Sequence, residues 1–169
     1  PQGLADVTVR LGDERLPLDD ALARIHADGL VVLLDGQVVL ERYARGHEAG
    51  ATHPLFSVTK SLVGLLAGTL LEDGALADHD LVEAWLPDLV GTAWAGATVR
   101  DLLDMRTAVA YDEDYDDPTR GYEGYERRAR WAAEGDAAGG VRPWLRTLAA
   151  RGAHGGAFVY QSPATDVLA

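Results

Sequence analysis

Apolar residues recur at Leu18, Ala21, Leu22 and Ile25 within "LPLDDALARIHADG" (16–29), a helical spacing that predicts a helix closed by Gly29. Directly after it, "LVVLLDGQVVLERY" (30–43) splits into two apolar runs around Asp35-Gly36. Asp-Gly accepts the left-handed backbone of a tight turn, so this segment predicts two antiparallel strands. From Phe56 to Leu71 the period changes: Phe56, Val58, Leu62, Val63, Leu65, Leu66, Leu70 and Leu71 are interrupted mainly by Gly64, Ala67 and Gly68. A helix apolar on nearly every side is expected to be buried among close neighbours, and Gly74 supplies its stop.

Further on, "HDLVEAWLPDL" (79–89) predicts a short helix ended by Pro87, and "TVRDLLDM" (98–105) opens on Thr98 with Asp101 three residues later, a near-capping box. Residues 111–140 then turn polar, acidic and glycine-rich, which predicts a long loop, and loops of that length are more often functional than idle. "PWLRTLAA" (143–150) predicts another short helix, and "AFVY" (157–160) a brief strand or extended lead-in. Ser162-Pro163 has the cap-then-proline form of a new helix. The expected organisation is α/β (α+β), with residues 1–50 starting a sheet domain and 51–169 forming a mostly helical domain. Because a helix is only beginning at "SPATDVLA", further C-terminal sequence is expected.

Composition narrows the partners. A net charge of −12 argues against nucleic acid, since phosphate binding needs clustered cations and the one Arg-rich stretch, "ERRAR", sits beside acids. The absence of cysteine removes thiolate chemistry and zinc–cysteine sites. The longest apolar run is broken by Asp35, Gly36 and Gln37, so no membrane span is expected. No basic region followed by an apolar stretch marks a leader, and a cytoplasmic location is the expectation. His26, His47, His53 and His79 are scattered singly, with no spacing that suggests a metal site, so neither metal nor cofactor is expected.

Among the 15 Lys and Arg residues, Lys60 is the only lysine. A guanidinium cannot in practice lose its proton, whereas an amine can. Ser57 and Lys60 are three residues apart, so in a helix they share a face with Cβ atoms about 5–6 Å apart. At the first turn of a helix, unpaired N–H groups and the positive dipole end favour an alkoxide or a developing oxyanion. Burial and positive potential favour the uncharged amine of a lysine, able to take a serine proton. Tyr160 in "FVYQS" forms Y-x-S with Ser162, and a tyrosine held against a Ser–Lys pair is a candidate proton shuttle. Taken alone, Tyr160 reads as a core aromatic with its hydroxyl satisfied and Ser162 as a helix cap.

"SVTK" at 57–60, "TVRDLLDMRTAV" some forty residues on and "YQS" roughly a hundred residues after the serine together resemble the serine β-lactamase and penicillin-binding-protein superfamily, in its class C and esterase branch. "SVTKSLVGLLAG", "YDEDYDDP" and "FVYQSPATDVLA" are more narrowly similar to the aminohexanoate-oligomer (nylon-oligomer) hydrolases. The resemblance implies a β-lactamase-like fold, an antiparallel sheet flanked by helices plus a mostly helical domain. It implies Ser57 as acylated nucleophile, Lys60 as its general base and Tyr160 relaying a proton to the leaving amine. The Ser57 backbone N–H would supply half of an oxyanion hole. Tyr115 matches the loop tyrosine that bonds the leaving nitrogen, and Ser162 belongs to the substrate-binding side.

The family's third motif, a Lys- or His-containing strand segment ending in Gly, lies downstream. His154 in "HGG" precedes Tyr160 and is out of order for it. Completing the site therefore requires the last strands, from the same chain or a second fragment. The implied partner is a small amide or ester, and a homodimer is left open. The same residues leave other readings: a penicillin-recognising sensor acylated without turnover, a carboxylesterase or D-peptidase of the same fold, or a Schiff base on Lys60. The acidic run "DEDYDDP" with Glu123 and Glu126 reads either as a solvated loop or as a rim that attracts an ammonium-bearing substrate, Glu126 being the best single candidate. On the second reading, Glu126→Gln raises KM for amino-terminated oligomers and leaves neutral esters nearly unchanged. Steady-state kinetics on both substrate types checks this, and equal effects remove the idea.

Overall fold

Asp35 and Gly36 both take the left-handed backbone, with φ of 51° and 76°, which closes a two-residue hairpin where the sequence places it. The structure, a computed structural model, describes residues 7–116, 125 and 140–169. The chain divides into two units, Pro1–Pro54 and Leu55–Ala169.

In the first unit, β1 (Thr8–Leu11) and β2 (Glu14–Pro17) form an antiparallel hairpin, followed by α1 (Leu18–Arg24) and the second hairpin, β3 (Gly29–Leu34) with β4 (Gln37–Tyr43). The first hairpin has no counterpart in the hydrophobic pattern. Its strands are four residues each and rich in charge, too short for an alternation to stand out. α1 stops at Ile25, before the expected Gly29, because His26 rather than a glycine takes the left-handed turn at φ 57°. Asp19 and Asp20 in its first turn and Arg24 in its last suit the helix dipole. In the β3–β4 ladder Leu33 faces Val38 and Val32 faces Leu40, with a bulge between Val32 and Leu33. Of the unit's described hydrophobic residues only Ala21 and Leu40 are buried, whereas Val31, Leu33, Leu34 and Val38 are exposed. A lone two-stranded sheet has too little area to bury its own side chains.

The second unit comprises α2 (Val58–Glu72), α3 (Val82–Trp85), a 3₁₀ turn at Pro87–Leu89, α4 (Val99–Leu103), α5 (Val141–Leu145) and α6 (Ser162–Leu168). Leu86 is pushed to φ −122° and ψ 78° by the proline that follows, so α3 ends two residues before Pro87. The capping box of α4 is complete: the Asp101 N–H donates to the Thr98 hydroxyl, and the Thr98 N–H donates to the Asp101 carboxylate. "AFVY" joins no described strand; its Val159 N–H donates to the Met105 carbonyl at 2.9 Å. Trp94, with no exposed surface, centres the core among Val82, Leu89, Ala97, Leu102, Val109, Leu145, Ala164 and Val167. Its indole N–H donates to the Leu145 carbonyl at 2.9 Å, which ties α5 to the core.

α2 departs from expectation. It packs against α6, yet only Ala67 is buried, and Phe56, Val58, Leu62, Leu65, Leu66 and Leu70 are between 48% and 67% exposed. The described elements cover one side of a helix whose apolar side chains point in every direction. Apolarity states what a helix requires; it does not state that the residues in hand provide it. No described helix is long and apolar enough to cross a membrane.

Replacing Trp94 tests the core. Trp94→Phe leaves the buried Leu145 carbonyl with only the long 3.5 Å bond from the Leu148 N–H and costs about 1–3 kcal/mol, whereas Trp94→Ala also opens a cavity and costs about 3–5 kcal/mol. Urea denaturation of the two variants measures the difference.

Candidate active site

Ser57 sits at the N-cap of α2 with φ −68° and ψ −12°, and its side chain makes no capping bond. Phe56, just before it, is held at φ 44°, a region that bulky side chains rarely occupy. The N–H groups of Val58, Thr59 and Lys60 turn back to the carbonyls of Leu55, Phe56 and Ser57. No described backbone acceptor takes the Ser57 N–H, which leaves it available to an incoming oxygen. Lys60, one turn further, donates from Nζ to Ser57 Oγ at 3.0 Å. The same Nζ lies 5.2 Å from the centroid of the Tyr160 ring, over its face, where the ring quadrupole attracts a cation. Three side chains spread over a hundred residues therefore meet. The described residues do not provide the shelter expected around them: Ser57 is exposed and Lys60 half-buried.

Tyr160 is delivered by a laced segment. Arg106 donates from Nε to the Gly156 carbonyl at 2.6 Å and from Nη2 to the Gly155 carbonyl. His154 accepts from the Ala108 N–H at 3.0 Å on Nδ1 and faces the Ala95 carbonyl with Nε2, a buttressing role. Next to Tyr160, the side chain of Gln161 is 1% exposed. Its Oε1 accepts from the Thr107 hydroxyl at 2.5 Å and its Nε2 donates to the Val109 carbonyl at 3.1 Å. Both ends of a buried amide are satisfied from one segment, which fixes the position of its neighbour.

Ser162 is not the cap of α6. Gln161 holds that position, and Ser162 is the first helical residue. It is 3% exposed, and both its N–H and its hydroxyl donate to Glu113, at 2.7 and 2.6 Å. Glu113 thus supplies the carboxylate that the N-terminus of α6 favours. It also accepts from the Tyr115 hydroxyl at 2.8 Å, so Tyr115 and Ser162 share one anchor. Tyr115 is otherwise exposed, at 61%. Glu126 and Glu123 lie outside the described residues. Glu113, Thr107 and Gln161 were not singled out by sequence, because a polar partner fifty residues away leaves no periodic trace.

The histidines are less scattered than their spacing implies. His26, His47 and His53 line one groove of about 480 Å³ in the first unit, beside Asp28 and Tyr43. His53 faces Asp28 at 3.1 Å, and Arg45 donates to His26 at 2.8 Å. The Pro54 carbonyl and then Asp28 hold His53 above its ordinary range, while His53 and Arg45 hold Asp28 below its own. No described group of three or more His, Cys, Asp or Glu is placed to hold a metal ion.

A serine and a lysine in hydrogen-bond contact at a helix start, with a distant tyrosine against the amine, define a recognisable class. The Beta-lactamase family matches residues 18–169, and the chain belongs to it. Over its whole length it is 36% identical to the 6-aminohexanoate-dimer hydrolase of Paenarthrobacter ureafaciens, of which it spans 44%. A solved structure, "Putative 6-aminohexanoate-dimer hydrolase from Bacillus anthracis", shares the fold with a TM-score of 0.83 at 24% identity, over 99% of this chain and 45% of that one. The chain thus spans less than half the length of either relative.

The Gln161 bridge is testable alone. Thr107→Val keeps the shape but strands the Gln161 carbonyl oxygen in a buried site, at a cost of about 1–3 kcal/mol. Urea denaturation should show a lowered midpoint with an unchanged slope.

Proposed function

We propose that the protein is a serine hydrolase of the β-lactamase type that cleaves amide bonds, and esters of similar shape, through an acyl-enzyme. The observation that carries this is Lys60 Nζ lying 3.0 Å from Ser57 Oγ with the Tyr160 ring 5.2 Å from the same nitrogen. With its amine uncharged, Lys60 accepts the Ser57 proton as the hydroxyl oxygen attacks the carbonyl carbon. The open Ser57 N–H meets the developing oxyanion. The ammonium then passes its proton by way of Tyr160 to the leaving nitrogen, and water later releases the acyl group.

The similarity to a 6-aminohexanoate-dimer hydrolase supports linear amides with a free amino end as the substrate class. In that reading Tyr115, steadied by Glu113, bonds the leaving nitrogen, Ser162 belongs to the wall of the substrate cleft, and Glu126 attracts the ammonium. The uncovered apolar side chains of α2 support a further requirement, that strands completing the family's sheet shelter this helix and supply the second oxyanion donor.

Ser57→Ala should abolish labelling by a fluorophosphonate and turnover of a chromogenic amide while leaving the thermal midpoint within a degree or two. Tyr160→Phe should slow turnover by about 10²–10⁴-fold, the usual weight of general acid–base help. Labelling that persists in Ser57→Ala places the nucleophile elsewhere. One equivalent of adduct with no turnover in the unmodified protein identifies a sensor instead.

A further inference from the structure

Among the described residues other than glycine, His26, Asp35, Arg45, Phe56 and Met105 take a left-handed backbone. Aspartate and histidine are the types that visit it most readily, whereas a bulky aromatic resists it. Phe56, at φ 44°, stands directly before Ser57. Ser57 follows with φ −68° and ψ −12°, and the Val58 N–H closes the turn on the Leu55 carbonyl at 3.0 Å. A positive first and a negative second central φ make this a type II′ turn, whose first central position ordinarily belongs to glycine. Phe56 is 60% exposed, so burial of its ring among the described residues does not account for the strain.

The turn decides what lies beneath the start of α2. With a negative φ at residue 56 the chain would run back as further helix, and a carbonyl three or four residues earlier would lie under the Ser57 N–H. The left-handed residue turns the incoming chain off that line. The N–H groups of Val58, Thr59 and Lys60 reach the carbonyls of Leu55, Phe56 and Ser57 at 3.0, 3.1 and 3.1 Å, while that of Ser57 reaches none among the described residues. Its direction is fixed as well. In a trans peptide the Ser57 N–H points opposite to the Phe56 carbonyl, and the Thr59 N–H holds that carbonyl on the helix side.

We propose that Phe56 is a positioning residue, its left-handed backbone keeping the Ser57 N–H uncovered and aimed outward as an oxyanion donor. This deepens the reading above and rests on it for its catalytic meaning. During attack the Ser57 O–H bond breaks, the oxygen bonds the acyl carbon, and the proton passes to Lys60 Nζ, 3.0 Å from Oγ. The carbonyl π pair moves onto the carbonyl oxygen, and the Ser57 N–H meets the charge there. The backbone of residue 56 carries this role, and its ring is dispensable. Strain maintained beside a reacting group is the pattern expected where geometry is held for function.

A substitution series separates backbone from ring. Phe56→Gly and Phe56→Asn accept a positive φ, Phe56→Val disfavours it, and Phe56→Pro forbids it. Acylation by a chromogenic ester should stay near the unmodified rate in the first two and fall by about 10²–10³-fold in the last two, the usual weight of one oxyanion donor. A thionoester, whose sulfur accepts an N–H weakly, should lose much less, so the ester-to-thionoester rate ratio collapses in Phe56→Val and Phe56→Pro. An amide ¹H–¹⁵N spectrum confirms that each variant is folded. A strong cross-peak between the amide proton and Hα of residue 56 marks the positive φ without any assay, and it should be present in the unmodified protein and in Phe56→Asn. Its absence from the unmodified protein overturns the proposal. So do equal rates in Phe56→Asn and Phe56→Val, a folded Phe56→Pro at full rate, or a lost rate with the ratio unchanged. If Phe56→Pro does not fold, Phe56→Asn against Phe56→Val decides. If Ser57→Ala retains turnover, the hydrolase reading falls, and the cross-peak still decides whether Phe56 holds the turn.

Discussion

The buried amide of Gln161 is the constraint on which the site depends. Tyr160 is held near Lys60 beside a neighbour pinned to Thr107 and Val109 from both ends of one side chain. Hydrogen bonds of this kind contribute little net energy when made and cost much more when broken, since the desolvated partner has nowhere else to turn. Such a pair specifies a position more than it stabilises a fold. Arg106 and His154 repeat the device on the preceding residues, so the tyrosine arrives on a braced segment even though no strand carries it.

Glu113 does similar work on the other side. One carboxylate accepts from the first N–H of α6, from the Ser162 hydroxyl and from the Tyr115 hydroxyl. Read as composition, it is one acid in an acidic run. Read in space, it closes the end of a helix and fixes a loop residue, so the start of the long polar segment is structural whatever the remainder of that segment does.

How much of this was legible in the sequence follows from the range of each interaction. The Ser57–Lys60 contact is a matter of three residues along one helix, and local spacing suffices to see it. The hairpin at Asp35-Gly36 is equally local. Tyr160 could be linked to them only through the order of motifs, because no periodicity spans a hundred residues. Gln161, Thr107 and Glu113 left no signal, since a buried polar residue looks the same in sequence as a solvated one until its partner is located. The C-terminus of α1 was misplaced because His26 took a conformation for which Gly29 was the better candidate. The burial expected of α2 from its apolarity is not met, since among the described residues only Ala67 of the helix is buried.

β3 and β4 pair with each other and with no other described strand, so each keeps one margin of unsatisfied amides and carbonyls, and the apolar side chains of Val31, Leu33, Leu34 and Val38 are exposed. A margin of that kind does not discriminate between suitors: any extended peptide of modest apolarity can zip onto it. Handled without whatever normally adjoins that ribbon, the polypeptide carries its own template for self-association, opposed by the mutual repulsion of its net negative charge.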